Sequence, residues 1–283
     1  LQSILESAPL KTWLFPRFSP DGQRIAAEIH DAGGHIWVYD LTSTTLMRLT
    51  SEGHNTRPAW SPDGSRVAYW RLGAEEGADG EIYSRPADAS EPEVLVPGSV
   101  GRASTMDWFP SGDRMAVVVE RDIWSMPVEG DTTLTPIIAT PADESAGVVS
   151  RDGRWIAYVS NESGTGQVYV RAADGTGPRY TVSVGSGAAP FWAFRGTELF
   201  YAGPAGFVSA KLEFEPSYRV TREVLFNVPE VGPLAGDPSY AVHPDGEHFL
   251  FVRTVAQADL RLRVIVNFGE QLRRWIAAAS GGD

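Results

Sequence analysis

The sequence contains no cysteine. Disulfides, thiolate metal centres and thiol nucleophiles are therefore excluded. No run of 18 apolar residues occurs, so no transmembrane helix is predicted. No signal peptide is visible, and the chain opens at Leu1 rather than Met. The expectation is a mature product or an excised domain, part of a longer polypeptide. Basic residues are outnumbered, 24 against 36 acidic, for a net charge of −12. A surface that acidic argues against nucleic acid and anionic lipid as partners. Chemical signatures are missing too. There is no GxSxG elbow, no kinase phosphate loop with its lysine, no HRD and no DFG. The runs Gly164-Thr165-Gly166 and Gly175-Thr176-Gly177 read as loops between strands and open no helix, so they are not phosphate cradles.

What is present is a repeat. Six times an apolar stretch enters a tight polar turn and leaves as a second apolar stretch, with turn glycines at Gly22, Gly64, Gly112, Gly153, Gly196 and Gly246. The intervals are 42, 48, 41, 43 and 50 residues. A β-rich repeat of that period predicts propeller blades. The Asp-Gly pairs predict hairpins, because glycine accepts positive φ and aspartate bonds its own backbone. In the second repeat the expected strands are 56–61, 66–72, 81–86 and 93–96. Aromatic residues recur at one slot of the third strand (Trp37, Tyr83, Trp124, Tyr169) and at the end of the first (Phe18, Trp60, Trp108, Trp192). Blade-to-blade packing is the reading of both sets.

The predicted fold is all-β: a single six-bladed propeller of four-stranded antiparallel blades. The blades run over roughly 13–50, 56–96, 102–140, 144–182, 188–226 and 238–268. The last repeat lacks a fourth strand, since 271–279 reads as a short amphipathic helix. Residues 2–5 are expected to complete it and close the ring, which removes exposed edges.

The turns at Phe18–Gly22 and Pro58–Gly64, with Ile36–Leu41, Arg48–Thr50, Asp152–Arg171, Glu198–Tyr201 and the end segment Val264–Arg273, resemble TolB-like six-bladed propellers. The likeness is closest to the propeller attached to some bacterial membrane-anchored serine/threonine kinases. It covers nearly the whole chain. Two turns depart from the pattern, at Pro110-Ser111-Gly112 and Phe194-Arg195-Gly196, which lack the aspartate but keep the glycine. The resemblance implies a sensing or scaffolding role outside the cytoplasm, in the periplasm or at the cell surface of a bacterium. It implies no particular ligand.

Candidate chemistry sits where the innermost strands would line a central channel. Aligned first strands place Trp13, Asn55, Ala103, Glu144, Gly187 and Asp237 in one ring, and Phe15, Arg57, Thr105, Ala146, Ala189 and Ser239 in the next. Asn55, Glu144 and Asp237 form an oxygen-donor trio for Ca²⁺ or another divalent cation, or simply a polar channel mouth. Trp13 is expected to be an exposed aromatic platform. His54 is the histidine near the mouth, read either as a general base acting with Glu144 or Asp237 or as a solvated loop residue. Arg57 and Arg102 are the cations that would grip a carboxylate or phosphate. The five histidines show no HxH or HxxxH pairing, which gives a histidine zinc site little support. Two functions stay open: non-catalytic binding of a peptide, protein or small ligand at the mouth, or metal-dependent hydrolysis of esters, lactones or phosphotriesters.

Overall fold

The computed structural model describes residues 12–30, 33–74, 79–98, 105–194, 196–226, 240–255 and 259–265. Among these residues, twenty-three strands form six antiparallel sheets. The first contains β1 (Thr12–Phe18), β2 (Arg24–His30), β3 (His35–Asp40) and β4 (Thr45–Arg48). The second contains β5 (Asn55–Trp60), β6 (Arg66–Arg71), β7 (Glu81–Pro86) and β8 (Val94–Leu95). The third contains β9 (Met106–Trp108), β10 (Arg114–Val119), β11 (Asp122–Pro127) and β12 (Thr135–Ile138). The fourth contains β13 (Glu144–Val149), β14 (Trp155–Ser160), β15 (Gln167–Ala172) and β16 (Tyr180–Thr181). The fifth contains β17 (Ala188–Trp192), β18 (Glu198–Gly203), β19 (Gly206–Glu213) and β20 (Arg219–Phe226). The sixth has three described strands, β21 (Tyr240–Val242), β22 (Phe249–Val255) and β23 (Asp259–Ile265). The expected closing strand at 2–5 and the expected helix at 271–279 lie outside the described residues.

Each sheet is a simple up-and-down meander because its turns are locally encoded. In Ser19-Pro20-Asp21-Gly22, the Gly22 amide donates to Ser19 O, and Gly22 takes φ 73°. The Ser19 hydroxyl donates to the Asp21 carboxylate and itself accepts from the Arg24 amide, while Asp21 caps the Gln23 amide. Ser61–Asp63 and Ser150–Asp152 repeat this arrangement. All six turn glycines have positive φ, between 69° and 76°. The serine two residues before the aspartate is thus as much a part of the turn as the Asp-Gly pair. In the third sheet, which lacks that aspartate, the Ser111 hydroxyl donates to Asp113 instead.

The core is distributed among the junctions between sheets. Ile36 and Val38 meet Val67 and Tyr69 between sheets one and two. Trp70 and Ile82 meet Met115 and Val117 between two and three. Equivalent clusters join three to four, four to five and five to six. A further one joins six to one, where Ala241, Leu250 and Val252 pack on Trp13, Phe18 and Ile29. The recurrent aromatics fall in these junctions. Two of them also cross the junction with a hydrogen bond: the Trp60 indole donates to Arg17 O at 3.0 Å and the Trp192 indole to Val148 O at 3.1 Å. Packing and polarity together fix how successive sheets meet.

Candidate functional site

The first strands carry a repeated irregularity. Register slips between Leu14 and Arg17, Thr56 and Ala59, Ser145 and Val148, and Ala188 and Phe191. At each slip a non-glycine residue has positive φ: Phe15 at 49°, Arg57 at 54°, Ala146 at 52° and Ala189 at 50°. These are four members of the second ring expected from sequence. Left-handed backbone is costly for such residues, and bulges re-aim side chains at sites. Below the bulges, the ends of the first strands from five sheets enclose a cavity that continues toward the hairpin turns. It has room for about 50 Å³ of water-sized occupants, a few waters or one small polar group.

Three charged residues line this cavity: Arg17, Asp107 and Arg151. The Asp107 carboxylate accepts from the Val149 amide at 2.8 Å. Burial pushes its pKa up, against the pull of Arg151, that amide and Arg17. The same burial pushes Arg151 down, with Asp107 opposing. Arg151 stacks its guanidinium over Phe194 at 3.9 Å. Asp107 is half-buried and Arg151 exposed, because both face the hollow rather than the packed junctions. The cavity therefore combines two guanidiniums with one carboxyl whose pKa burial raises. The rings expected from sequence lie nearer the other end of the first strands and contain none of these three residues.

The mouth residues behave differently from expectation. Trp13 is no platform: it is 1% exposed and packed between sheets one and six. Asn55 is fully buried and its amide is already used. Its Nδ2 donates to Glu52 O and Gly53 O, and its Oδ1 accepts from Arg71 Nε at 3.0 Å. That closes the loop before β5. Arg57 lies over the Phe15 ring at 4.8 Å. His54 finds its carboxylate at Glu28, 3.2 Å away, rather than at Glu144. Arg102 and Asp237 lie outside the described residues. Of the expected trio of oxygen donors, Asn55 is thus spent on its own loop, and Asp237 lies outside the described residues.

Glu144 is the mouth residue with unused capacity. Its Oε1 accepts from Thr140 Oγ1 at 2.6 Å and from Ser160 Oγ at 3.3 Å, while Oε2 is buried without a partner. Burial raises its pKa despite those two bonds, and Asp122 adds to the rise. A raised carboxyl pKa means the folded state holds its proton longer than the unfolded chain. Stability from this group is greatest below the ordinary pKa and falls as pH rises through the folded value. Glu144→Gln should therefore be neutral to stabilising at pH 7.5, by up to about 1 kcal/mol, and should show no gain at pH 4. Urea unfolding at the two pH values checks this. A loss above about 1 kcal/mol at pH 7.5 would mean that the ionised carboxylate has a favourable partner.

No protein-family profile matches the chain. One curated relative, the uncharacterized peptidase YuxL of Bacillus subtilis, is 28% identical over 112 residues, covering 37% of this chain and 17% of that protein. The chain thus spans less than a fifth of that relative's length. Among solved structures it is similar to a putative TolB from Agrobacterium tumefaciens, with TM-score 0.65, 19% identity and coverage of 90% and 91% of the two chains. It is also similar to an oligogalacturonate lyase from Vibrio parahaemolyticus, with TM-score 0.61, 12% identity and coverage of 94% and 79%. At these identities the likeness concerns architecture, and one architecture carries many chemistries. The chain has the TolB-like β-propeller fold.

Proposed function

We propose that this chain is a non-catalytic binding propeller, the recognition part of a larger extracytoplasmic bacterial assembly. Its ligand is a peptide, protein or small molecule that places a carboxylate in the channel between Arg17 and Arg151. The observation that carries the reading is that two guanidiniums face one hollow with a single carboxyl, Asp107. Arginine offers a planar fork matched to a carboxylate. The hollow admits one such group rather than a whole ligand, so the rest of the ligand lies along the channel.

The test is calorimetry with a hexapeptide bearing a free C-terminal carboxylate, its C-terminal amide and inorganic phosphate. The free acid should bind more tightly than the amide. Arg151→Gln should weaken the acid by roughly 10- to 100-fold, the worth of a charge-assisted hydrogen bond. Equal binding of acid and amide, or an unaffected Arg151→Gln variant, rejects the reading. Turnover of a chromogenic ester or phosphotriester by the wild-type chain would favour the hydrolase instead.

A further inference from the structure

A second cluster stands apart from the channel cavity. Glu28, on β2, is 1% exposed at the junction of sheets one and two. Its side chain meets three others. His30, two residues along the same strand, brings Nε2 to 2.5 Å from Glu28 Oε1. His54, in the loop before β5, brings Nε2 to 3.2 Å from the same oxygen. Thr56 Oγ1 donates to the other oxygen, Oε2, at 2.5 Å. The two imidazoles meet edge to face, with centroids 5.5 Å apart. They remain reachable from solvent, 47% and 39% exposed at the side chain. Gly34, at φ 70°, leaves the space the His54 ring occupies, since a Cβ there would lie 2.4 Å from His54 Cδ2.

Buried charges in proteins are paired or coordinate metals. Here one buried carboxylate oxygen faces two ring nitrogens, and the three ligand atoms lie within 4.8 Å of one another. We propose that Glu28, His30 and His54 bind a zinc-type divalent cation that staples sheets one and two, with its fourth position open to solvent. Imidazole nitrogen with carboxylate oxygen suits Zn²⁺, and two histidines with one glutamate is an established zinc ligand set. Ca²⁺, which takes oxygen ligands, does not fit this set. Tetrahedral coordination at the usual bond lengths sets neighbouring ligand atoms about 3.3 Å apart. The His54 contact already has that spacing, and the His30 contact reaches it by opening less than about 1 Å. Thr56 fixes the carboxylate in the manner of an outer-shell partner.

Titration of the metal-free chain with ZnSO₄, followed by calorimetry and by competition with a coloured chelator, tests the site. One Zn²⁺ per chain should bind at this site, with a rise in Tm that saturates at one equivalent, and CaCl₂ should produce neither effect. His30→Asn and His54→Asn, both at partly exposed positions that keep the fold, should each weaken binding more than about tenfold. Thr56→Val should weaken it by roughly 10- to 100-fold, as loss of an outer-shell partner does. The control is His248→Asn in the other histidine cluster, where the Asp245 carboxylate lies beside Nδ1 of both His243 and His248; it should leave this binding unchanged. Absence of zinc binding overturns the proposal. So does zinc binding that survives His30→Asn and His54→Asn, since the ion would then sit elsewhere.

Discussion

Trp13→Ala should destabilise the protein by roughly 3–5 kcal/mol, the usual cost of removing a buried tryptophan. Trp13 pairs with Ile29 across β1 and β2 and packs on Ala241, Leu250 and Val252 of the sixth sheet. The lost contacts are those that hold the last sheet to the first. A domain of ordinary stability has about 5–15 kcal/mol in hand, so the variant would stand near its limit. Equilibrium urea unfolding measures the effect directly. Ligand binding by the fraction that stays folded should be unchanged, because Trp13 does not line the channel cavity. A variant of near wild-type stability that has lost ligand would instead restore the aromatic platform suggested by the sequence.

Why the sequence misplaced Trp13 is a matter of register. Side chains alternate along a strand, and one extra residue moves everything beyond it to the other face. Trp13 and Phe18 are five apart yet share one cluster, because the irregularity between Leu14 and Arg17 absorbs a residue. Nothing in the letters Phe15-Pro16 announces a left-handed backbone at phenylalanine. The hairpins were legible for the opposite reason. Their geometry depends on contacts within six residues, and glycine with a serine–aspartate pair suffices. In the second sheet the expected strand 81–86 is the observed Glu81–Pro86, and 66–72 is Arg66–Arg71 with one residue added.

The sites depend on partners far apart in sequence. Asp107, Arg151 and Arg17 meet only because two first strands and one hairpin turn, from three sheets, converge on one hollow. Glu28 and His30 were within reach of a sequence reading, since alternate positions of a strand share a face. A search for histidine pairs alone passes over a glutamate in the first place of that pattern. His54 then joins across a junction that no local pattern encodes. Asn55 shows the converse: an amide that looks available in sequence is spent on closing its own loop.

Gly22→Ala should cost more than the same change at any other turn glycine, roughly 2–5 kcal/mol. Every such glycine has left-handed backbone, where an L side chain costs about 1–2 kcal/mol. Gly112, Gly196 and Gly246 carry that term alone, because nothing lies within 4 Å of an added Cβ. At Gly22 the Cβ would stand 2.4 Å from His243 Nε2, and overpacking of this kind adds about 1–3 kcal/mol. The ring has little freedom to retreat. It reaches Gly22 O through Nε2 at 3.2 Å, meets Asp245 through Nδ1 at 2.9 Å and stands edge-on to Phe18. Burial works to raise Asp245, but the Glu247 amide, His248 and His243 outweigh it and hold the carboxylate at about 2. The clash and the backbone term separate in a double-mutant cycle. His243→Ala should relieve the Gly22→Ala penalty down to the level of Gly112→Ala. If Gly22→Ala and Gly112→Ala cost the same in the wild-type background, the His243 ring yields freely and the junction of sheets six and one does not depend on it.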